Sequence, residues 1–274
     1  MIKNKLILGL IQVIALSLLA STVLPAENTV QSTWTAFPPQ IDGQSEEWLG
    51  DAMTFEKSVG VDYAFRNDGR NLYVLFIFKD PKFLSSIDMT GITLYANTLG
   101  KKDKDWGVKF LKKTVTGEQL IEYMEKMGQP LAEERKKEIK DKPQFVIFVA
   151  TAVNKKGEEI FPAGPVQDID LPGFRIGRQE NMVLYEFRIP LVSREVHPAG
   201  IGTEPGKPIK IGFEWGGLTK EMRETMRGRA RGTQTGADMT KETITGTYEG
   251  SPSTGPAGPK KYSFWVDVKL AQAE

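Results

Sequence analysis

The chain has no cysteine among its 274 residues. That excludes disulfides, thiolate metal sites, thiol nucleophiles and c-type haem attachment. It also excludes a bacterial lipoprotein anchor, which needs a cysteine at the cut. Histidine is nearly as scarce, with His197 alone, just before Pro198. A zinc site of familiar type needs more nitrogen or sulfur ligands than that. A Ser-His-Asp triad would have to use His197, and no Gly-x-Ser-x-Gly elbow is present to serve it. Net charge is small too, 36 basic against 35 acidic side chains, so no general attraction to nucleic acid is expected.

Long apolar runs are also lacking. Leu6 to about Ala20 is the longest, but Gln12 interrupts it, and it is shorter than the roughly 20 residues a membrane span needs. With Lys3 and Lys5 before it and Leu24-Pro25-Ala26 after it, the stretch reads as a secretory signal peptide over 1–26, cut after Ala26, with a retained N-terminal anchor as the second reading. The expected mature chain, 27–274, carries 34 basic and 35 acidic side chains. It has no later segment apolar enough to span a membrane, and it is long enough to bury a core without disulfides. A periplasmic or extracellular location is expected.

What is there reads mostly as β. Val61, Tyr63 and Phe65 alternate with Asp62, Ala64 and Arg66, the period-2 signature of a half-buried strand. Asn67-Asp68-Gly69 supplies turn residues that tolerate positive φ. Leu72 to Phe78 is apolar on both faces, as in a central strand covered on both sides, and Asp80-Pro81 stops it. Further strands are expected over Gly91 to Asn97, Trp106 to Leu111, Phe145 to Val153, Met182 to Ile189, Lys207 to Trp215 and Tyr262 to Leu270. This spacing predicts one mainly β domain, an antiparallel, jelly-roll-like β-sandwich. Two segments break the rhythm. Residues 116–142 read as a helical insertion lying against the sandwich, opened by a capping box at Thr116 and Gln119 and split at Gly128 and Pro130. Residues 218–261 read as a short helix followed by a long Gly-, Thr-, Ser- and Pro-rich loop. Arg223, Arg227, Arg229 and Arg231 there, with Leu218, Met222 and Met226, suit either an amphipathic surface helix or a docking face for an anionic surface.

Three stretches resemble one family. Pro39-Gln40-Ile41-Asp42-Gly43-Gln44-Ser45-Glu46-Glu47-Trp48 is similar to the opening of family 9 carbohydrate-binding modules and their DOMON-like relatives. Val61 to Asp80 is similar to their next signature, a strand, an Asp-Gly turn and Asn-Leu-Tyr-Val. Tyr185-Glu186-Phe187-Arg188-Ile189-Pro190-Leu191 is similar to their Glu-x-x-Ile-Pro strand end. The resemblance implies a sandwich of about ten strands that binds a glycan without catalysing its cleavage, with structural calcium in close members. In the family the module commonly accompanies a glycoside hydrolase, which here would be on another chain. None of the matched residues belongs to the family's sugar clamp.

Sugar recognition needs flat aromatic faces for pyranose C–H groups and polar side chains at the rim. Of the five tryptophans, Trp48 is expected to pack on the sheet. Trp265 is either core or cover on an outer face. Trp34 sits near the chain start. Trp106, after the charged turn 101–105, and Trp215, beside Glu214 at a strand end, are the ligand-binding candidates, together with Glu214. The alternative for both is a strand-end aromatic that caps the core. Asp42, Glu46 and Asp80, with Glu47 and Asp62 nearby, are the candidate calcium ligands; solvated turn carboxylates are the alternative. The expected partner is a glycan or a cell-envelope component. Two alternatives stand beside glycan binding: a structural subunit of an envelope assembly, and a DOMON-like electron carrier holding haem b through His197 and a methionine.

Overall fold

The computed structural model describes residues 29–84, 86–166, 170–217 and 260–273. The expected leader and nearly all of the 218–261 segment, with its arginines, lie outside the described residues. Thirteen strands and three α-helices are described. In chain order they are β1 (Thr29–Gln31), β2 (Thr33–Trp34), β3 (Thr54–Glu56), β4 (Val61–Asn67), β5 (Asn71–Phe78), α1 (Ile87–Thr90), β6 (Ile92–Asn97), β7 (Trp106–Val115), α2 (Gly117–Lys126), α3 (Glu133–Lys140), β8 (Phe145–Asn154), β9 (Glu159–Ile160), β10 (Gly173–Gln179), β11 (Met182–Pro190), β12 (Pro208–Gly216) and β13 (Lys261–Lys269).

The strands form two sheets. One has seven strands in the order β1-β13-β12-β6-β7-β8-β9. The other runs β10-β11-β5-β4-β2, with β3 also on β4. Pairing is antiparallel except at two edges, where β1 runs parallel to β13 and β2 parallel to β4. The start of the described chain therefore crosses from one sheet to the other. Ser32, between β1 and β2, marks the crossing: its hydroxyl donates to Asn67 Oδ1 and accepts the Ala271 N–H.

The inner faces of both sheets meet in one core. Alternation decides which residues enter it. On β12, Ile209, Ile211, Phe213 and Trp215 point in; on β13, Phe264, Val266 and Val268 do. Phe76 stands at the centre, with Tyr63, Phe78, Phe187, Phe213 and Phe264 around it at ring separations of 4.5 to 6.3 Å. Such offset and edge-on pairs add to plain burial.

β5 is covered on both sides, as its sequence predicts. On its outer face Tyr73 and Leu75 pack with Ala64, Leu184 and Trp48 under a strap of chain that begins at Ile41. The Ile-Asp-Gly-x-x-Glu-Glu-Trp stretch is that strap. It is anchored on Glu186 of β11, which is fully buried. One carboxylate oxygen accepts the Trp48 indole N–H at 2.7 Å. The other accepts the backbone N–H groups of Gly43 at 2.6 Å and Asp42 at 3.1 Å. Glycine is required where the strap meets β10: a Cβ on Gly177 would stand 1.6 Å from the Gly43 carbonyl oxygen.

The insertion forms as expected. The Thr116 hydroxyl accepts the Gln119 N–H, and the Gln119 side chain accepts the Thr116 N–H. Gly128 lies in the break between α2 and α3. Tyr123 of α2 reaches Thr151 and the Ala150 backbone on β8, so the helices sit at the β8 end of the seven-stranded sheet. Among the described residues no helix is long and apolar enough to cross a membrane.

Candidate functional site

The outer face of the seven-stranded sheet carries an aromatic platform. Three strands bring it together through register alone: Gly212 of β12 pairs with Trp265 of β13 on one side and with Tyr95 of β6 on the other, and Tyr95 pairs with Gly107 of β7. Paired residues share a face, so the row reads Trp265, Gly212, Tyr95, Gly107, alternately large and empty. A Cβ on Gly212 would stand 2.7 Å from each of three atoms of the Trp265 six-membered ring. The indole therefore lies flat over the Gly212 backbone, and its opposite face points away from the sheet. Tyr95 is stacked with it, 22° between ring planes and 6.2 Å between centroids. Both rings are half-buried. A glycine inside a strand marks such a close approach.

Polar side chains frame the platform along the same strands. Glu214 follows Gly212 by two positions on β12 and is held by Lys104 and by Lys261, the latter at 2.8 Å. These two lysines pull the Glu214 pKa below its ordinary value against the effect of burial, so the carboxylate stays ionised. Lys104 also lies 5.5 Å from the centre of the Tyr95 ring. Burial, with the Glu214 carboxylate nearby, pushes the Tyr95 phenol up to about 12, so it remains a neutral donor. On the other side Lys210 pairs with Asp267 at 2.8 Å. A flat ring floor with paired charges at its edges can hold an uncharged ring by C–H contact and bind its hydroxyls at the rim.

The expected site residues fare differently. Glu214 is at the platform edge. Trp215 is not available to a ligand: it is 1% exposed and points into the core. Its indole N–H donates to the Phe83 carbonyl at 2.9 Å, and its ring stacks on Tyr262. The reason is parity, since Trp215 shares the inward face of Ile209, Ile211 and Phe213. Trp106, 7% exposed, forms part of a separate groove with Arg194 over its ring and its N–H on the Pro198 carbonyl. Trp48 is structural, as expected. Trp265 is outer-face cover, the second of the two placements open to it.

The candidate calcium ligands do not converge. Asp42 caps the Gln44 N–H in its own turn. Asp80 pairs with Lys82. Glu46 begins the short helical turn Glu46–Trp48. Among the described residues no three histidine or acidic side chains gather to hold a metal. Asp42 is taken by its own turn and Asp80 by a neighbouring lysine.

His197, on which the haem alternative turned, is 1% exposed. Its Nδ1 accepts the Ala199 N–H at 3.1 Å, and its Nε2 has no partner among the described residues. Burial lowers its pKa below the ordinary 6.5. The folded state thus favours the neutral ring, and stability present above pH 6.5 is lost as the pH falls through the lowered value. The melting temperature should fall between pH 7 and pH 5, as a titration by calorimetry would show. His197→Asn, which keeps an acceptor for Ala199 and cannot titrate, should flatten that slope.

Tyr95 and the binding role of Trp265 are what sequence reasoning misses. The signal was available in Gly107 and Gly212, two glycines inside predicted strands.

No family model matches the chain, and no curated protein does. Two solved structures overlap it in outline. One is a carbohydrate binding module family 9 from Caldicellulosiruptor kristjanssonii in complex with cellotriose, at 9% identity and a TM-score of 0.38, covering 90% of this chain and 95% of that one. The other is such a module from the same organism in complex with glucose, at 13% identity and a TM-score of 0.29, covering 71% and 81%. Overlap at those scores carries no weight for function, which has to come from the sheet face itself.

Proposed function

We propose that this is an exported, non-catalytic carbohydrate-binding protein, made with a leader over 1–26, whose binding face is the outer side of the seven-stranded sheet. The observation that carries the reading is the flat Tyr95–Trp265 pair, laid on glycine backbone and framed by Glu214, Lys210 and Asp267. A pyranose would rest its C–H face on the indole, with hydroxyls at the carboxylates and lysines of the rim. The rim charges are already paired, so they can exchange hydrogen bonds with a neutral sugar without leaving a bare charge behind.

The test is calorimetric titration with neutral oligosaccharides, cellotriose among them, after a glycan array has chosen the best. Trp265→Ala should weaken binding by about 2 kcal/mol, roughly thirtyfold in Kd, the cost of truncating a central aromatic anchor. Tyr95→Ala should act in the same direction. Both variants should melt cooperatively. Unchanged affinity in both would remove the platform from the function.

A further inference from the structure

A second recess lies next to the platform's own strand. Successive residues of a strand face opposite ways. Gly107 thus lies under the platform face, while Trp106, one position earlier, turns inward, where its buried ring joins the core and lines a groove of about 650 Å³, within the range of small-ligand sites. Residues 160–166, including Phe161 and Pro165, form its apolar wall, and Arg194, Glu195 and Val196 form part of the remainder.

Arg194 sets its chemistry. The guanidinium carbon sits 4.2 Å from the centre of the Trp106 ring. The indole below is fixed in turn by its N–H bond to the Pro198 carbonyl at 2.8 Å. The guanidinium is therefore seated over the indole, and its side chain lines the groove. Among the described residues Arg194 has no ion pair or hydrogen bond, and its one close contact is the Trp106 ring. Lys104, Lys210 and Lys261 on the platform side, by contrast, each hold a carboxylate. Burial also lowers the Arg194 pKa against the pull of Asp103, a sign of a guanidinium short of solvent. A guanidinium seated on an aromatic ring keeps a planar fork of donors complementary to a carboxylate, which it binds with two parallel hydrogen bonds. The apolar wall opposite suits the C–H face of a ring that bears such a group.

We infer that the Trp106–Arg194 groove is a second sugar subsite that takes the carboxylate of a uronic acid residue. This rests on the carbohydrate reading above and narrows it, since the platform accepts neutral rings and the groove selects acidic ones.

The probes are trigalacturonate and cellotriose, titrated against the full chain by calorimetry. Arg194→Gln removes the charge and the guanidinium fork and leaves a shorter, neutral polar side chain. It should weaken trigalacturonate by about ten- to a hundredfold, the range for losing a charge-assisted hydrogen bond, and leave cellotriose unchanged. Arg194→Lys, which keeps the charge without the planar fork, should fall between the two. Wild-type affinity for trigalacturonate should also drop as salt rises. Equal trigalacturonate affinity in wild type and Arg194→Gln would overturn the groove assignment. So would trigalacturonate binding that is lost in Trp265→Ala but not in Arg194→Gln, which would place the acidic sugar on the platform. If cellotriose and the other neutral glycans fail while trigalacturonate binding depends on Arg194, the platform reading falls and the groove stands.

Discussion

Trp215→Ala is expected to cost the fold about 3–5 kcal/mol, the usual range for emptying a buried tryptophan site. Its indole is 1% exposed, with Phe78 edge-on at 5.7 Å and Tyr262 stacked at 5.7 Å. Truncation opens a cavity between the two sheets and leaves the Phe83 carbonyl without its donor. Since domains are stable by only about 5–15 kcal/mol, the variant should show a large loss in midpoint by urea denaturation. Trp215→Phe separates the two parts, restoring most of the packing but not the hydrogen bond. Any loss of glycan binding in Trp215→Ala should then follow the fraction unfolded. Trp265→Ala should do the reverse, keeping the midpoint close to wild type and losing the ligand. Wild-type stability in Trp215→Ala would contradict the placement of this residue in the core.

Glu186 should be the second position of large effect. Burial raises its pKa, with Asp42 acting the same way, and the donors of Trp48, Gly43 and Asp42 oppose the rise. Glu186→Ala removes the acceptor for three N–H groups at once. Each buried donor left unsatisfied costs about 1–3 kcal/mol, so the strap should detach or the domain should lose about 3 kcal/mol or more. Glu186→Gln should cost less, about 1–3 kcal/mol, because an amide has one acceptor oxygen and turns its NH2 toward donors. Hydrogen exchange distinguishes strap release from global unfolding. Release would deprotect 41–49 in both variants and leave the β5 amides slow. Normal protection of the strap in Glu186→Ala would show that packing of Trp48 alone holds it.

The two cases differ in how far local sequence foretells them. Trp48 is legible as structural, because it follows an Asp-Gly turn next to a strand too apolar to have one wet face. Its acceptor is not, because Glu186 is 138 residues away and reads locally as a polar position in an alternating strand. The orientation of Trp215 is written in the alternation of Ile209, Ile211 and Phe213, but the neighbouring Glu214 and Gly216-Gly217 suggest an exposed strand end. β10 goes unread for another reason. Gly-Phe-Arg-Ile-Gly-Arg-Gln is an edge strand with glycines and arginines, and only its pairing along β11 makes it a strand.

By themselves the residues determine the β class, the Asn67–Asn71 hairpin turn, the capped first helix of the insertion and the inward face of each strong strand. These depend on neighbours two to four positions apart, which a linear pattern records. Register between distant strands was decided only in three dimensions. Tyr95, Gly212 and Trp265 meet because three strands align at one row, and Arg194 lies on Trp106 because the 193–200 turn packs against the start of β7. Their separations along the chain are large, and the free energy that aligns them is the burial of the two sheets' inner faces, which no local stretch of sequence contains.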